Sequence, residues 1–407
     1  MLIAGEPSGD TLAAELVGAL REKVIASSQD VTTDVQPLCT ALAPRFFGAG
    51  GQRMAAAGVE LTFDLTQHSV LGISDVLKNY FKFRRLFRQL FLLAVARQPD
   101  VIIGVDYGGF NLRFGKAIKN YVRRHRREFV PWNPKIVQFV SPQVWASRPE
   151  RAYTLVENYD LLLSIFPFER DWYARRVPKL RVEFVGHPMV GRYALAGTRS
   201  TASQKSPTEK EAGDAAERVP TVLLLPGSRM DEVRRHWPVV TGVFELLRRE
   251  SPGLRTKAVL PGDELAQIAR SLGVPVGLDL QVGGLTAALA EADLAITKSG
   301  TITMECAMFG VPAVVFYKAS WPNYLVAKQV VSVRHLAMPN LLAGEEVFPE
   351  FIQQAATPEN ISRAALVLLR DSSRRQTVKA LLAKAVSSLG GPGATGRAAD
   401  AILSLLP

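Results

Sequence analysis

The chain has 407 residues, of which 47% are hydrophobic and 21% charged, a composition typical of a globular protein long enough for two α/β domains. No apolar run approaches the roughly 18 residues that cross a bilayer, and Met1–Asp10 lacks the basic and apolar regions of a signal peptide. The net charge of +11 predicts an anionic partner, such as an acidic membrane surface, phosphorylated substrates or nucleic acid.

The first half of the chain predicts a doubly wound α/β domain, because short apolar strands alternate with helical patterns. It opens with a strand at Leu2–Ala4, a loop of small residues at Gly5–Asp10 and an amphipathic helix from Thr11. Further strand-and-loop units at Ile136–Ala146 and Leu161–Glu169 place polar groups at strand ends.

The segment 69–97 interleaves bulky apolar residues with lysine and arginine. A helix that docks on an anionic membrane needs this combination, an apolar wedge with cations at the level of the lipid headgroups. The alternative is a core helix whose cations extend along apolar surface into solvent. The residues predicted to dock are Val70, Leu71, Phe83, Phe87 and Phe91.

Asp106 directly follows the apolar run Val101–Val105, which predicts a buried strand. Ligands of open α/β sheets bind beyond the carboxyl ends of the strands, and Gly108 and Gly109 would let a substrate approach closely. A carboxylate beside a sugar hydroxyl can act as a general base. The alternative is a loop carboxylate that caps a helix over Phe110–Tyr121.

A polar stretch separates the two halves of the chain. Residues 196–219 are rich in Ser, Thr, Lys, Glu and Ala, with almost no large apolar residue, and predict a flexible linker. The α/β pattern restarts at Thr221–Leu225. Near the end, a glycine-rich hinge at 390–396 leads into a last short helix, Arg397–Leu406.

The second half contains a strand–helix–strand unit with small and hydroxyl residues at its turn. The apolar run Leu294–Ile296 leads to the turn Lys298–Thr301, and a helix follows to Phe309. Free N–H groups and the helix dipole at such a start favour phosphate. Glu305 lies one turn past Thr301 on the same face, where its carboxylate can accept hydrogen bonds from ribose hydroxyls. The alternative is an N-capped crossover helix.

Cysteine and histidine usage indicates no metal site. The two cysteines, Cys39 and Cys306, lie in apolar surroundings, as buried thiols of a reducing cytoplasm do. The five histidines form no i, i+4 pair and have no carboxylate at the spacing of a metal site. We therefore expect no bound catalytic metal and no cofactor.

Eight short motifs follow one another along the chain: Ala4-Gly-Glu-Pro-Ser-Gly-Asp10, Gly104-Val-Asp106-Tyr-Gly-Gly-Phe-Asn111, Ser141-Pro-Gln-Val-Trp145, Phe166-Pro-Phe-Glu169, Val185-Gly-His-Pro188, Leu224-Leu-Pro-Gly-Ser-Arg229, Ser299-Gly-Thr301 with Glu305, and Pro339-Asn-Leu-Leu-Ala343. Together they closely resemble the motifs of the lipid-A-disaccharide synthase family. The likeness runs from residue 2 to the C-terminal helix, with only the 196–219 linker outside it. The two-domain pattern also resembles the GT-B glycosyltransferase architecture.

The resemblance implies an α/β protein of GT-B architecture, in which two doubly wound Rossmann-like domains face each other across a cleft. It implies an acceptor-binding domain at 1–195, the linker 196–219, a donor-binding domain at 220–389, and a hinge with a C-terminal helix at 390–407 that crosses back to the first domain. Dimers of the family exchange C-terminal segments, and the glycine-rich hinge is compatible with such a homodimer.

The family's reaction transfers 2,3-diacylglucosamine from its UDP derivative to the 6-hydroxyl of 2,3-diacylglucosamine 1-phosphate, which gives a β-1,6-linked disaccharide and UDP. It inverts the anomeric carbon without a metal, so it needs a base for the acceptor and cations for the leaving diphosphate. The resemblance makes Asp106 the base. It assigns to UDP binding Gly227, Ser228, Arg229, Lys298, Ser299, Gly300, Thr301, Glu305 and Asn340. It assigns to the sugar cleft Gly5, Glu6, Ser8, Gly9 and Gln143.

The implied partners are an acylated UDP-sugar donor and an acylated sugar phosphate acceptor, both held in a membrane leaflet. The chain would then be cytoplasmic and peripherally attached to the anionic inner membrane, with no role for nucleic acid. Family members commonly carry a second carboxylate where this chain has Gly109, so Asp106 must supply the base alone. The alternatives are another GT-B enzyme, either a UDP-GlcNAc 2-epimerase or a peptidoglycan GlcNAc-transferase, and a UDP-sugar-binding protein without catalysis.

Overall fold

The computed structural model describes residues 1–29, 44–68, 80–125, 132–193 and 219–406. The chain forms two compact units, which are Met1–Arg192 with Leu389–Pro407, and Tyr193–Ser388. The predictions that fall outside the described residues are those for Cys39, Val70, Leu71 and the linker up to residue 218.

The first unit is built on a seven-stranded parallel sheet. Its strands are β1 (Leu2–Ala4), β2 (Phe47–Gly50), β3 (Glu60–Asp64), β4 (Val101–Val105), β5 (Lys135–Phe139), β6 (Leu161–Ser164) and β7 (Val182–Phe184). Its helices up to residue 176 are α1 (Pro7–Gln29), α2 (Gln52–Ala56), α3 (Tyr80–Arg97), α4 (Gly108–His125), α5 (Val144–Ser147), α6 (Arg151–Asn158) and α7 (Pro167–Arg176). The order β3-β2-β1-β4-β5-β6-β7 reverses direction between β1 and β4, as in a Rossmann fold.

The second unit repeats this design with six parallel strands. They are β8 (Thr221–Leu225), β9 (Arg255–Leu260), β10 (Asp279–Val282), β11 (Leu294–Lys298), β12 (Ala313–Tyr317) and β13 (Glu350–Ile352). The helices are α8 (Met230–Glu250), α9 (Asp263–Ser271), α10 (Leu285–Glu291), α11 (Thr301–Met308), α12 (Trp321–Val330), α13 (Met338–Ala343), α14 (Pro358–Arg370) and α15 (Ser372–Ser387). The strand order is β10-β9-β8-β11-β12-β13. The predicted fold class, with two Rossmann-like α/β units, is confirmed.

Strand register brings loops together at the carboxyl edge of each sheet. In the first unit Ala4 pairs with Val105, so the loop after β1 lies beside the loop after β4. In the second unit Thr297 pairs with Leu225, so the turn after β11 lies beside the loop after β8. Strands β4 and β8 are buried along their whole length, because central parallel strands are covered by helices on both faces.

Helix α1 begins earlier than the sequence pattern predicts. The loop of small residues was expected to last until Thr11, but the helix already begins at Pro7. Proline suits a first helical position, because its φ is fixed and its missing N–H would have no partner there. Ser8 and Gly9 therefore lie in the first turn, where backbone N–H groups have no partner within the helix.

The C-terminal segment returns to the first unit, as predicted. Its helix α16 (Ala394–Leu403) packs against α1. Lys23 Nζ lies 2.6 Å from Asp400 Oδ1, and Arg397 Nε donates a hydrogen bond to Val185 O at 2.8 Å. These contacts join residues of one chain, so an exchange of this segment between two copies stays a prediction.

The inner face of α3 requires a correction to the membrane-docking prediction. The Phe87 ring makes edge-to-face contacts with Phe110 and Phe114, at centroid distances of 5.4 and 5.5 Å. The Phe91 ring makes a similar contact with Tyr121 at 5.6 Å. Phe87 and Phe91 thus pack against α4 and the core, so they do not project from the helix toward a membrane.

The outer face of α3 carries different apolar residues. Phe81 is 80% exposed and Leu92 is 54% exposed, whereas Phe83 is half-buried. Arg85 and Arg88 are exposed and lie between Phe81 and Leu92 at helical spacing, on the same face. In the described part of the chain, no helix combines the length and apolar character that a membrane crossing requires.

Candidate functional site

Asp106 lies in an unusual backbone turn. Asp106 and Tyr107, directly after β4, have φ angles of 52° and 46°. Non-glycine residues enter this left-handed region at a cost of about 1–3 kcal/mol each, and such strain clusters at functional sites. Two side-chain amides hold the turn, because Asn111 Nδ2 and Gln138 Nε2 each donate to Asp106 O at 2.8 Å. Sequence reasoning missed Gln138, although one polar residue within an apolar strand was an available signal.

The carboxyl group of Asp106 has an altered acidity. Burial raises its pKa above the ordinary value, and hydrogen bonds from the Tyr107 N–H and the Ser8 hydroxyl oppose this rise without cancelling it. A raised pKa brings a carboxylate closer to the strength that a general base needs near neutral pH. The turn therefore supplies a carboxylate suited to accept a proton.

The predicted sugar-cleft residues of the loop after β1 surround this turn. A Cβ on Gly9 would lie 3.2 Å from the carbonyl oxygen just before Asp106 and 3.4 Å from Asp106 Cβ, so a glycine permits the close approach of α1. The Tyr107 ring covers Gly5. Burial and the negative charge of Glu6 raise the pKa of Tyr107. The structure thus brings the first loop and Asp106 together.

Gln143 is exposed and lies in the loop between β5 and α5. A Cβ on Gly108 would come within 2.8 Å of Pro142 Cβ, so this loop packs directly on the turn that contains Asp106. Gln143 is the next residue along the chain. The structure therefore places this predicted sugar-cleft residue next to a contact with the Asp106 turn.

A buried polar network supports the loop that carries Gln143. Trp145 Nε1 donates to Glu169 Oε1 at 2.9 Å, and Ser141 Oγ donates to the Tyr173 hydroxyl oxygen at 3.1 Å. Burial raises the pKa of Glu169 to about 7, although the hydrogen bond from the Trp145 indole acts in the opposite direction. Helix α7 thus holds the loop at two points. The sequence motif included Glu169 without assigning it a role.

Gly109 occupies the position where the resemblance predicts a second acid. It is exposed, and a Cβ built on it meets no atom within 4 Å. The described residues therefore leave room for a larger side chain at this position. The glycine removes a carboxylate without being required by packing.

In the second unit, Glu232 binds both cations that were predicted to hold diphosphate. Its Oε1 lies 3.0 Å from Lys298 Nζ and 3.2 Å from Arg229 Nη1, and its Oε2 accepts the Ser228 N–H at 3.1 Å. Burial acts to raise the pKa of Glu232, but the positive charges of Lys298 and Arg229 outweigh it and hold the pKa below its usual value. Gly227 has a φ of 143°, and a Cβ there would overlap the Glu232 side chain.

Glu232 was not predicted from the sequence. The available signal was an acid three residues after Arg229, in the first turn of α8. Its contact with Lys298 joins positions far apart in the chain, so only the fold shows it. The Glu232 carboxylate accepts hydrogen bonds from the same groups of Ser228, Arg229 and Lys298 that a phosphate would use.

The turn before α11 has the geometry of an open helix start. Gly300 precedes the helix with a φ of 148°, and Thr301 is exposed at the first helical position. Ser299 Oγ donates to Leu336 O at 3.1 Å, which ties the turn to the segment before α13. The turn at the start of the helix is thus present, and its binding of phosphate stays a prediction.

Glu305, the predicted ribose ligand, is held within its own unit. The Tyr193 hydroxyl donates to Glu305 Oε1 at 3.0 Å. The Tyr193 ring also makes an edge-to-face contact with Phe309 at 5.2 Å. Tyr193 therefore orients the carboxylate, a role that the sequence pattern did not indicate.

The prediction that Asn340 contacts UDP is corrected by its hydrogen bonds. Asn340 is fully buried, and its Nδ2 donates to Phe348 O and Glu350 Oε1, both at 2.8 Å. Its Oδ1 accepts the N–H groups of Val347 and Phe348 at 2.9 and 2.8 Å. Both donors and both acceptor positions of the amide are used. Asn340 therefore fixes the loop before β13 and has no group left for a ligand.

Solved structures share the fold of the whole chain. The calicheamicin glycosyltransferase CalG4 aligns with a TM-score of 0.54 at 14% identity, covering 100% of this chain and 96% of that one. The S. aureus protein MnaA, solved with UDP, aligns with a TM-score of 0.57 at 13% identity, with the same coverage. At these identities the likeness shows the fold alone, which is GT-B.

Sequence comparison is more specific. The family model of lipid-A-disaccharide synthetase (LpxB) matches residues 1–403. A lipid-A-disaccharide synthase of Myxococcus xanthus is 36% identical over 409 residues, covering 100% of this chain and 97% of the relative. Another, from Alkalilimnicola ehrlichii, is 34% identical and covers 99% of this chain and 97% of the relative. The chain therefore belongs to the lipid-A-disaccharide synthase family and is a GT-B glycosyltransferase of lipid A biosynthesis.

Proposed function

We propose that the chain transfers 2,3-diacylglucosamine from its UDP derivative to the 6-hydroxyl of 2,3-diacylglucosamine 1-phosphate, with inversion and without a metal. The products are the β-1,6-linked disaccharide 1-phosphate and UDP. The observation that carries the proposal is the Asp106 turn, where two amides hold a strained backbone and burial raises the pKa of the carboxyl. Family membership narrows the reaction to lipid A synthesis.

Asp106 is the general base in this proposal. Its carboxylate takes the proton of the acceptor 6-hydroxyl while that oxygen attacks the anomeric carbon of the donor. The bond between the anomeric carbon and the diphosphate oxygen breaks, and its electron pair leaves with UDP. One displacement inverts the anomeric carbon. Ser8, whose hydroxyl contacts the Asp106 carboxylate, helps to orient it.

The leaving diphosphate binds in the second unit. Arg229 and Lys298 supply positive charge, and the N–H groups at the start of α11 supply aligned donors, which together stabilise the developing negative charge. Glu232 already occupies both cations, so diphosphate must share or displace its contacts. Glu305, oriented by Tyr193, accepts the ribose hydroxyls. MnaA, which shares this fold, was solved with UDP, and this supports a UDP site in the chain.

The acylated substrates require the enzyme to work at a membrane surface. We assign docking to the outer face of α3, where Phe81 and Leu92 flank Arg85 and Arg88. This face combines apolar side chains with cations, as binding to anionic lipid requires. The protein would then be attached peripherally to the inner membrane from the cytoplasm.

The decisive experiment supplies both lipid substrates to the purified chain. We expect a disaccharide of the combined mass, UDP release that depends on the acceptor, a β linkage by anomeric coupling, and no loss of rate with EDTA. Asp106→Asn should abolish turnover, whereas Asp100→Asn at the opposite end of β4 should not.

UDP release without an acceptor would favour an epimerase or a hydrolase. UDP binding without any product would favour a binding protein. An undiminished rate in Asp106→Asn would exclude Asp106 as the base.

A further inference from the structure

Three arginines come together at the carboxyl edge of the first sheet. Arg113 lies in α4, Arg148 follows α5 and Arg151 begins α6, and α4 packs against α6. The Arg151 N–H donates to Arg148 O at 3.0 Å, which holds these two residues in one turn. Partial burial and the positive charges of Arg148 and Arg113 lower the pKa of Arg151, so the Arg151 guanidinium is within electrostatic reach of both other arginines.

In the described part of the chain, no acid forms an ion pair with these arginines. Within the residues that the structure describes, no hydrogen bond or ion pair involves the side chains of Arg113, Arg148 and Arg151. Glu150 attracts Arg151 less strongly than the two arginines repel it. By contrast, Arg97, elsewhere on the same unit, forms an ion pair with Glu60. A cluster of like charges costs free energy until an anion binds, so this cluster is suited to a ligand of high negative charge.

The cluster lies on elements that adjoin the turn of the proposed base, since Gly108 at the start of α4 packs on Pro142 of the loop before α5. Helix α4 starts two residues after Asp106, and Arg148 follows Gln143 by one turn of helix. The acceptor sugar carries its reacting 6-hydroxyl and its 1-phosphate on either side of the ring oxygen. A site for that phosphate must therefore be near Asp106 but separate from it, on the same unit.

We propose that Arg113, Arg148 and Arg151 bind the phosphate monoester of the acceptor sugar. This inference rests on the proposed function, because it names the part of the acceptor that this edge recognises. Guanidinium groups bind phosphate through paired N–H donors, and three of them neutralise a doubly charged monoester better than one lysine could. The cluster would then select a phosphorylated acceptor over a neutral one.

The test compares two acceptors, 2,3-diacylglucosamine 1-phosphate and the same lipid without phosphate. Arg148→Gln with Arg151→Gln should raise KM for the phosphorylated acceptor by about tenfold or more, since hydrogen bonds to charged groups are lost. KM for the neutral acceptor and for the donor should not change. Arg175→Gln, on the exposed face of α7, removes one equal charge elsewhere on this unit and serves as the control.

Binding of glucosamine 1-phosphate by calorimetry gives a readout that does not need turnover. The double variant should bind it at least about tenfold more weakly than the wild type. Equal binding, or equal KM changes for both acceptors, would overturn the proposal. So would a parallel loss of co-sedimentation with phosphatidylglycerol vesicles, which would assign the cluster to membrane headgroups. A wild-type chain that binds the sugar phosphate but makes no disaccharide would refute the proposed function alone.

Discussion

The strained turn at Asp106 can be tested with two buried asparagines that differ mainly in position. Asn111 is 2% exposed and donates to Asp106 O at 2.8 Å. Asn158 is 1% exposed and donates to Thr154 O at 2.8 Å. In each, Oδ1 is buried and has no hydrogen-bond partner among the described residues. Asn158→Leu is therefore a matched control for Asn111→Leu.

The expected effects on stability and rate differ. Each variant loses one hydrogen bond, worth about 1 kcal/mol net, and also removes an unpartnered buried oxygen, so the free energy of unfolding should fall by about 1 kcal/mol or less in both. In Asn111→Leu, however, the Asp106 turn also loses one of the two hydrogen bonds that hold its strained backbone, a strain of about 1–3 kcal/mol per residue. The carboxylate is then held less well in its reactive position. Since 1.4 kcal/mol is a factor of ten in rate, kcat should fall about tenfold.

Urea unfolding and steady-state disaccharide synthesis measure the two effects. We expect Asn158→Leu to keep kcat within about twofold of the wild type, because it does not contact the turn. If Asn111→Leu folds and keeps its full kcat, the turn is not held in place for catalysis. Equal losses of kcat in both variants would attribute the effect to general destabilisation.

Three further predictions concern pH, nucleotide binding and membranes. Burial raises the pKa of Glu169 from 4.5 to about 7, so the folded state keeps a proton that the unfolded chain releases. The stabilisation from this carboxyl is complete below pH 4.5 and is lost as pH rises to about 7, by at most about 1.4 kcal/mol per pH unit. Glu169→Gln should flatten this fall in urea unfolding between pH 5 and pH 8, and an unchanged slope would contradict the assignment. Glu232→Gln should tighten UDP binding by about threefold to tenfold in calorimetry, because it removes a negative charge that competes with the diphosphate. Weaker binding would show instead that Glu232 orients Arg229 and Lys298. Phe81→Glu with Leu92→Glu should reduce co-sedimentation with anionic vesicles, whereas Val276→Glu, at a residue that is 85% exposed in the second unit, should not. Undiminished binding by the double variant would remove α3 from the docking surface.

Sequence patterns located the strand ends well, because apolar runs followed by polar or glycine residues mark them directly. Asp106 and Lys298 were found in this way, and both lie at carboxyl ends of central strands. The groups that support them were missed, since Gln138 and Glu232 act through contacts between distant parts of the chain. The inward orientation of Phe87 was also missed, because an apolar helix pattern does not show which ring meets the core.

The start of a helix and the full use of a side chain's hydrogen-bonding groups could not be predicted from the sequence alone. The glycine and serine after Pro7 resemble a loop in sequence, yet they form the first turn of α1. Asn340 lies in a recognisable motif, but only its four hydrogen bonds reveal that it has no capacity for a ligand. A motif identifies a position that matters, and packing decides whether the position binds a ligand or holds a loop.

The return of the C-terminal segment affects how the protein is synthesised. The second unit is one continuous stretch, Tyr193–Ser388, whereas the first unit is complete only when Leu389–Pro407 has been made. The His187 N–H bonds to Leu389 O at 2.9 Å, and α16 covers α1, so both contacts are missing from a nascent chain that ends before them. The unit whose translation begins first is therefore the last to be completed. A premature stop after Ser388 would leave the second unit intact and expose the apolar surface of the first to proteases.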